Sequence, residues 1–198
     1  MKKDIYVYTH AGAIYINLTN RCTNDCVFCV RSRMEGIDGT NLWLDKEPTA
    51  QEVIDELKGM EGYDEVVFCG YGEPLIKLDE IIEIARYVKQ MGKKTRINTN
   101  GHANAFHQKD VPALLKGLID KVSISLNATD AAKYQKICRS VYNEEAFAHM
   151  LDFARGCVQQ GIRTVLSVVD IIGEEEIEKA RRIAADVGAE FKVRQFIK

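Results

Sequence analysis

Apolar positions along the chain fall into two alternating rhythms. Short runs rich in β-branched and aromatic residues read as strands: AIYINLT (13–19), DEVVFCG (64–70), KTRINTNG (94–101), DKVSISLNA (120–128), IRTVLSVVD (162–170) and FKVRQFI (191–197). Between them the apolar residues recur every three or four positions, the spacing of one helical face. These segments are PTAQEVIDELKGM (48–60), LDEIIEIARYVKQMG (78–92), KDVPALLKGL (109–118), residues 130–160 with a break near SVYN, and EEEIEKARRIAADVG (174–188). The punctuation agrees. Thr49 and Glu52 have capping-box spacing, Pro112 suits a first helical turn, and Gly92 and Gly188 mark stops. Residues 5–9 add a short strand able to pair with the first.

Six strands alternating with five helical connections require a parallel sheet with right-handed crossovers. Such a sheet is either open and doubly wound or a partial barrel. A full eight-stranded barrel takes roughly 250 residues, and this chain has 198. The expected fold class is therefore α/β, a partial (β/α)6 TIM-like barrel forming a single domain over residues 1–198. Strand parity then sorts the side chains. Val122, Ile124 and Leu126 face the helices, which turns Ser123, Ser125 and Asn127 into the barrel; Arg96, Asn98 and Asn100, and Tyr15, Asn17 and Thr19, form equivalent inner rows. Polar inner rows mark a binding site at the C-terminal strand ends, where ligands of parallel α/β folds sit. The one long irregular segment, 31–47, carries Gly36, Gly39 and Trp43; loops of that length are usually functional.

Composition changes this picture little. Net charge is -2 and 28% of residues are charged, so there is no strong nucleic-acid signal. The basic runs GKKTR and EKARR read as solvated surface. No apolar run approaches the ~18 residues of a membrane span, and MKKDIYVYTH lacks the apolar stretch of a signal peptide. A cytoplasmic location without membrane contact is expected. Of six cysteines, Cys69, Cys138 and Cys157 lie scattered in regular segments, where free cysteine packs as a small hydrophobe. The histidines show no ligand pairing.

The other three cysteines carry the chemistry. NRCTNDCVFCVR places Cys22, Cys26 and Cys29 in one short loop directly after the first strand. Thiolates select zinc, copper(I) or iron–sulfur clusters. Structural zinc and ferredoxin-type clusters take four protein ligands. Three thiolates instead hold a [4Fe–4S] cube by three corners and leave one iron open, the mark of a reactive site.

Cys-x3-Cys-x-aromatic-Cys, with Phe28 before the last cysteine, resembles the signature of the radical S-adenosylmethionine (radical SAM) superfamily. CGYGEP (69–74), ending the next strand, resembles that family's glycine-rich GGE motif, with Tyr71 between the glycines. The resemblance implies a [4Fe–4S] cluster on Cys22, Cys26 and Cys29, with SAM chelating the open iron. It also implies reductive cleavage of SAM to a 5′-deoxyadenosyl radical that abstracts hydrogen from a substrate. Gly70, Tyr71, Gly72 and Glu73 correspond to the motif that meets the SAM amino group. Asn98, Ser125 and Asn127 correspond in strand position and parity to contacts with the methionine carboxylate and ribose. Arg194 is a candidate for a carboxylate of SAM or substrate.

The resemblance spans nearly the whole chain, with the cluster loop at 20–47 and no auxiliary-cluster, RNA-binding or cobalamin domain expected. YINLTNRCTNDCVFCVR, VVFCGYGEP and SLNATDAAKYQKICR are most similar to the small radical SAM proteins associated with TatD-type nucleases, a grouping that names no reaction. The family implies an electron donor such as flavodoxin or ferredoxin. An open barrel side favours a large or partner-presented substrate. Two other readings remain: a glycyl-radical-enzyme activase acting on a protein partner, and a non-enzymatic iron–sulfur electron-transfer protein.

Overall fold

The computed structural model describes residues 4–32 and 40–196. Its sheet has seven strands: β1 (Val7–His10), β2 (Ala13–Ile16), β3 (Glu65–Phe68), β4 (Lys94–Thr99), β5 (Lys121–Ser125), β6 (Arg163–Val169) and β7 (Glu190–Arg194). Their order in the sheet is their order in the chain. That order decides between the two candidate architectures. A doubly wound sheet reverses at a switch point, whereas steady right-handed crossovers leave every helix on one face and curl the sheet into a barrel. β2 to β7 are parallel and β1 is antiparallel to β2. Among the described residues β1 and β7 do not pair, so the barrel is open on one side.

Among the described residues seven α-helices accompany the strands: α1 (Ala50–Leu57), α2 (Leu78–Gln90), α3 (Ala103–His107), α4 (Val111–Leu115), α5 (Ala131–Cys138), α6 (Glu145–Gln159) and α7 (Glu174–Val187). The Thr49–Glu52 capping box forms in full at the start of α1. Apolar helix faces, such as Val53, Ile54 and Leu57 of α1 and Ile81, Ile84 and Val88 of α2, meet one row of each strand. That row includes Ile14, Ile16, Phe68, Ile97, Val122, Ile124, Leu166 and Val168. Cys157 lies fully buried in this layer.

The sequence pattern is modified in three places, and the break expected near SVYN inside 130–160 is borne out. The segment expected as one helix at 109–118 is preceded by α3, and the two meet at Gln108, whose left-handed φ of 52° ends the first. The break inside 130–160 falls between α5 and α6, with Arg139 and Asn143 both at positive φ. The first strand stops at Ile16, and at the next residue the Asn17 side chain donates to Ile5 O and Leu42 O. The last strand begins at Glu190 and ends at Arg194; Ile197, and Gly36 and Gly39 of the long loop, lie outside the described residues. The lumen is also less polar than strand parity implied. Tyr8, Ala13, Tyr15, Leu42, Val67 and Tyr71 plug its β1–β3 side, which leaves the polar rows of β4 to β7 around the remaining space. No described helix is long and apolar enough to cross a membrane.

β1 and β2 are joined by the two residues Ala11 and Gly12, both at positive φ (47° and 77°). This is the turn that suits strand twist, and it normally takes Asn-Gly. Alanine is strained there, so Ala11→Asn is expected to stabilise the protein by about 1 kcal/mol. An unchanged urea midpoint would show the turn to be under no strain.

Candidate cluster and cofactor site

From Asn17 the chain leaves the sheet and passes over its C-terminal edge. The described residues of the loop that follows have no regular structure beyond a short 3-10 turn and a lone bridge at Thr40, yet they are pinned at several points. Asp25 N and Val27 N donate to the Cys138 and Ile137 carbonyls at 3.0 Å each, and Val141 N returns to Thr23 O. The loop thus satisfies carbonyls at the end of α5 that a helix leaves orphaned. Its entry is tied to the returning limb by reciprocal bonds between the Asn20 amide and Leu44 (2.8 and 3.1 Å). Glu47 receives the Arg21 guanidinium at 2.9 and 3.0 Å and the Thr19 hydroxyl.

Cys22, Cys26 and Cys29 are all partly buried with free thiols, and Phe28 between them is half-buried. Two N–H groups are aimed at Cys22 Sγ, from Asn24 N at 3.4 Å and Asn100 Nδ2 at 3.8 Å. Burial pushes the Cys22 thiol up to about 12. Cys26 is raised by its hydrogen bond with Cys138 and by burial, and burial raises Cys29. Metal-free, the loop therefore holds thiols, and loading must release their protons. Among the described residues no three His, Cys, Asp or Glu side chains converge as ligands of one ion would. A cube takes its thiolates at separate corners. Three thiols in one loop, with N–H donors to sulfur, fit a three-cysteine [4Fe–4S] cluster better than a mononuclear site.

The glycine motif locks onto this loop. A Cβ on Gly72 would lie 2.3 Å from Thr19 O and 2.5 Å from Arg21 O, and one on Gly70 would lie 2.0 Å from Asn17 Oδ1. Glu73 N donates to Arg21 O at 2.8 Å. Only glycine permits this approach. Tyr71 is buried, edge-on to Trp43 at 5.4 Å. The Glu73 carboxylate turns inward and accepts from Leu75 N (3.1 Å), Thr99 Oγ1 (2.7 Å) and Asn100 N (2.7 Å). Desolvation outweighs these three bonds and raises its pKa to about 7.

A buried polar chain extends from that carboxylate beneath the cysteines. Asn100 Nδ2 donates to Thr23 Oγ1 at 2.8 Å, and Thr23 contacts His102 Nδ1 at 3.1 Å. His102 Nε2 meets Tyr134 Oη at 3.2 Å, to which Asn24 Nδ2 donates at 3.3 Å. Burial lowers the His102 pKa to about 4, with His149 contributing, so the ring is neutral and free to accept at one nitrogen. Sequence reasoning put Asn100 in an inner row but gave His102, Tyr134, Thr23 and Asn24 no role. Only Asn100 carried a signal, its strand parity.

The proposed SAM contacts lie around the same mouth. Asn98 is half-exposed and accepts from Arg96 Nη1 at 3.0 Å, and Ser125 is half-buried at the end of β5. Asn127 is buried, with φ of 55°. Both ends of its amide are engaged, Nδ2 with Cys138 Sγ at 3.5 Å and Oδ1 with Arg194 Nη2 at 2.9 Å. Cys138, which the sequence offered only as packing, is thus part of the loop's support.

The Radical SAM superfamily model matches residues 16–187, from the end of β2 to the end of α7. The chain belongs to the radical SAM superfamily. That family works with a [4Fe–4S] cluster, SAM and a reductant. Among curated relatives, the "Probable GTP 3',8-cyclase" of Methanocella arvoryzae is 28% identical over 173 residues, 87% of this chain and 52% of that protein. The "Putative glycyl-radical enzyme activating enzyme" of Methanocaldococcus jannaschii is 30% identical over 154 residues, 75% of this chain and 60% of that protein. The radical SAM chain spans about half the length of the curated relatives it matches. Among solved structures, Streptococcus suis SuiB bound to S-adenosylmethionine superposes with a TM-score of 0.72 at 17% identity, over 93% of this chain and 40% of SuiB. SuiB with its precursor peptide SuiA gives the same score. At that identity the likeness establishes the fold.

Two outcomes follow for the site. Gly72→Ala forces a backbone shift between the motif and the cysteine loop, so it is expected to lose cluster on anaerobic reconstitution; full iron and sulfide content would show the contact to be soft. Glu73 has a folded pKa raised above its ordinary 4.5. Its contribution to stability is therefore complete at low pH and is lost as pH rises from about 4.5 through about 7. In the cluster-free protein Glu73→Gln should flatten that fall in urea denaturation, and parallel wild-type and variant curves would count against it.

Proposed function

We propose that this protein is a hydrogen-abstracting radical SAM enzyme of the small type associated with TatD-type nucleases. The observation that carries the reading is the joint between two loops: the three-cysteine loop and the glycine motif share a backbone hydrogen bond and a contact that excludes any side chain at Gly72. Such a joint fixes the thiols relative to the end of β3, as a ligand bridging cluster and strand edge requires. Cys22, Cys26 and Cys29 would hold the cluster, with Phe28 beside them in the same loop. When bound, the cluster and SAM supply an electron and a 5′-deoxyadenosyl radical. This chain's residues bind, orient and shield. Because the Glu73 carboxylate is already engaged by Thr99, Asn100 and Leu75, we assign the SAM ammonium to backbone carbonyls of Gly70–Gly72, with Glu73 bracing them. Asn98 and Ser125 face the methionine carboxylate and ribose. Asn127 acts through its grip on Cys138 and Arg194.

The residues described form one radical SAM core, and its electrons come from a flavodoxin or ferredoxin in a reducing compartment such as the cytoplasm. The unpaired edges of β1 and β7 leave room for a substrate larger than a metabolite, or one presented by a partner. A second reading, activation of a glycyl-radical enzyme, is favoured by the 30% identity to the Methanocaldococcus jannaschii protein. The two differ in substrate: the second requires abstraction from a glycine of a protein partner.

The test is anaerobic reconstitution with iron and sulfide, followed by dithionite and SAM. The expected result is 5′-deoxyadenosine that disappears in Cys26→Ala. A fully loaded cluster that never cleaves SAM under varied reductants would favour the electron-transfer reading instead.

A further inference from the structure

The opposite end of the sheet carries a row of charge. At the N-terminal ends of β3 to β6, a cavity of about 240 Å³ is lined by Glu65, Lys94, Thr95, Asp120, Lys121 and Arg163. The cysteine loop and glycine motif lie at the other strand ends, where parallel α/β folds hold their ligands. Register sets Lys121 of β5 directly between Arg96 of β4 and Arg163 of β6. Three cations thus stand side by side on neighbouring strands, and they repel.

Two of the three are answered from the outer strands. Glu65 of β3 accepts from Arg96 Nε and Nη2 at 3.2 and 3.0 Å. Glu190 of β7 accepts from Arg163 Nε and Nη2 at 2.6 and 2.9 Å. Asp120, the other acid of the lining, is engaged by Lys89 Nζ at 2.7 and 2.8 Å and by Thr95 N at 2.8 Å. The Lys121 ammonium in the middle has no hydrogen bond or ion pair with any described residue, and neither has that of Lys94 at the rim. Every other half-buried lysine among the described residues has an oxygen partner. Lys77 reaches Glu47 and Glu80, Lys89 reaches Asp120, and Lys93 donates to Tyr63 O. A half-buried ammonium between two guanidiniums, with no countercharge of its own, is costly to keep. Burial and the fields of Arg96 and Arg163 hold its pKa below the ordinary lysine value. Closing the strand ends would need only a neutral side chain.

We propose that this cavity is a phosphate-binding site, with Lys121 at its centre and Lys94 as its second cation. A phosphate monoester carries about 1.5 to 2 negative charges near neutral pH. It therefore matches the two ammoniums that the acids of the cavity leave unanswered, where a carboxylate would match one. Lysine binds such a group as a point charge. The volume lies just below the roughly 300 Å³ at which drug-sized ligand pockets begin, which suits the free ion or a small phosphate ester. The inference goes beyond the radical SAM reading and draws nothing from it, since no residue of the cavity belongs to the cysteine loop or the glycine motif.

Calorimetric titration of the cluster-loaded protein under anaerobic conditions tests it, with inorganic phosphate, ribose 5-phosphate and ribose as probes. Wild type should bind at least one of the phosphate probes and should not bind ribose. Lys121→Gln should lose about tenfold or more of that affinity, and Lys94→Gln a smaller factor. Lys136→Gln, which removes the same charge from α5, should lose none. Tighter binding of ribose 5-phosphate assigns the site to an ester, and affinity no greater than that of inorganic phosphate assigns it to the free ion. Because Lys121→Gln removes a repelled cation, its urea midpoint should be no lower than that of wild type. If it folds poorly, Lys94→Gln at the exposed rim carries the test. Wild type that binds neither phosphate probe overturns the proposal. So does binding that Lys121→Gln and Lys94→Gln leave unchanged, or that Lys136→Gln weakens equally.

Discussion

The close approach of two backbones governs the rest of this molecule. Where Gly72 passes Thr19 and Arg21, there is no room for a methyl group, and the next peptide donates across the gap to Arg21 O. This contact joins the end of β3 to a loop with little regular structure of its own. Elsewhere the loop is held by borrowed valences: carbonyls at the end of α5, the Asn20 amide and the Glu47 carboxylate. A three-cysteine site needs its thiols fixed by surroundings, because no fourth protein ligand closes it.

The surroundings are polar and dry, a combination that raises the stakes of each partner. Glu73, Asn100, Thr23, His102, Tyr134 and Asn24 form one chain of contacts under the cysteines. Burial pushes the carboxylate toward its neutral form and the imidazole away from its charged one. Both shifts favour the neutral form, so below about pH 7 and above about pH 4 the network carries little charge beside thiols that become anionic on loading. A fixed formal charge there would bias the cluster's potential; hydrogen-bond donors alone stabilise thiolate sulfur more gently.

Much of the fold was legible because barrels of this kind repeat one rule. Alternation in KVSISLN separated Val122, Ile124 and Leu126 from Ser123 and Ser125 correctly, and Thr49 with Glu52 marked a real helix start. The cysteine spacing and the glycine motif were equally local signals. What escaped were features set by tertiary contact. Cys138 looks like a buried cysteine in an amphipathic helix, and nothing in its neighbours announces Cys26. His102 follows Asn100-Gly101 with no ligand spacing, yet it anchors the loop. Glu73 matched a cofactor-binding motif, while its carboxylate is engaged inside the protein by residues of another strand end. The aromatic plug of the lumen escaped because Tyr8, Tyr15 and Tyr71 each read as strand or motif residues when taken singly.

The dependence of the cysteine loop on α5 also sets an order of assembly. Ser140 Oγ and Thr23 O are 117 positions apart in sequence, and the backbone bonds from Asp25 to Cys138 and from Val27 to Ile137 reach nearly as far. During synthesis the thiols leave the ribosome well before the helix that shapes their loop. Until β5 and α5 have docked, the loop is an unstructured thiol-rich segment that binds metals without discrimination and is open to oxidation. Correct loading therefore belongs after folding of the central strands. That timing gives a cell reason to keep iron and sulfur away from the nascent chain and deliver them to the folded one.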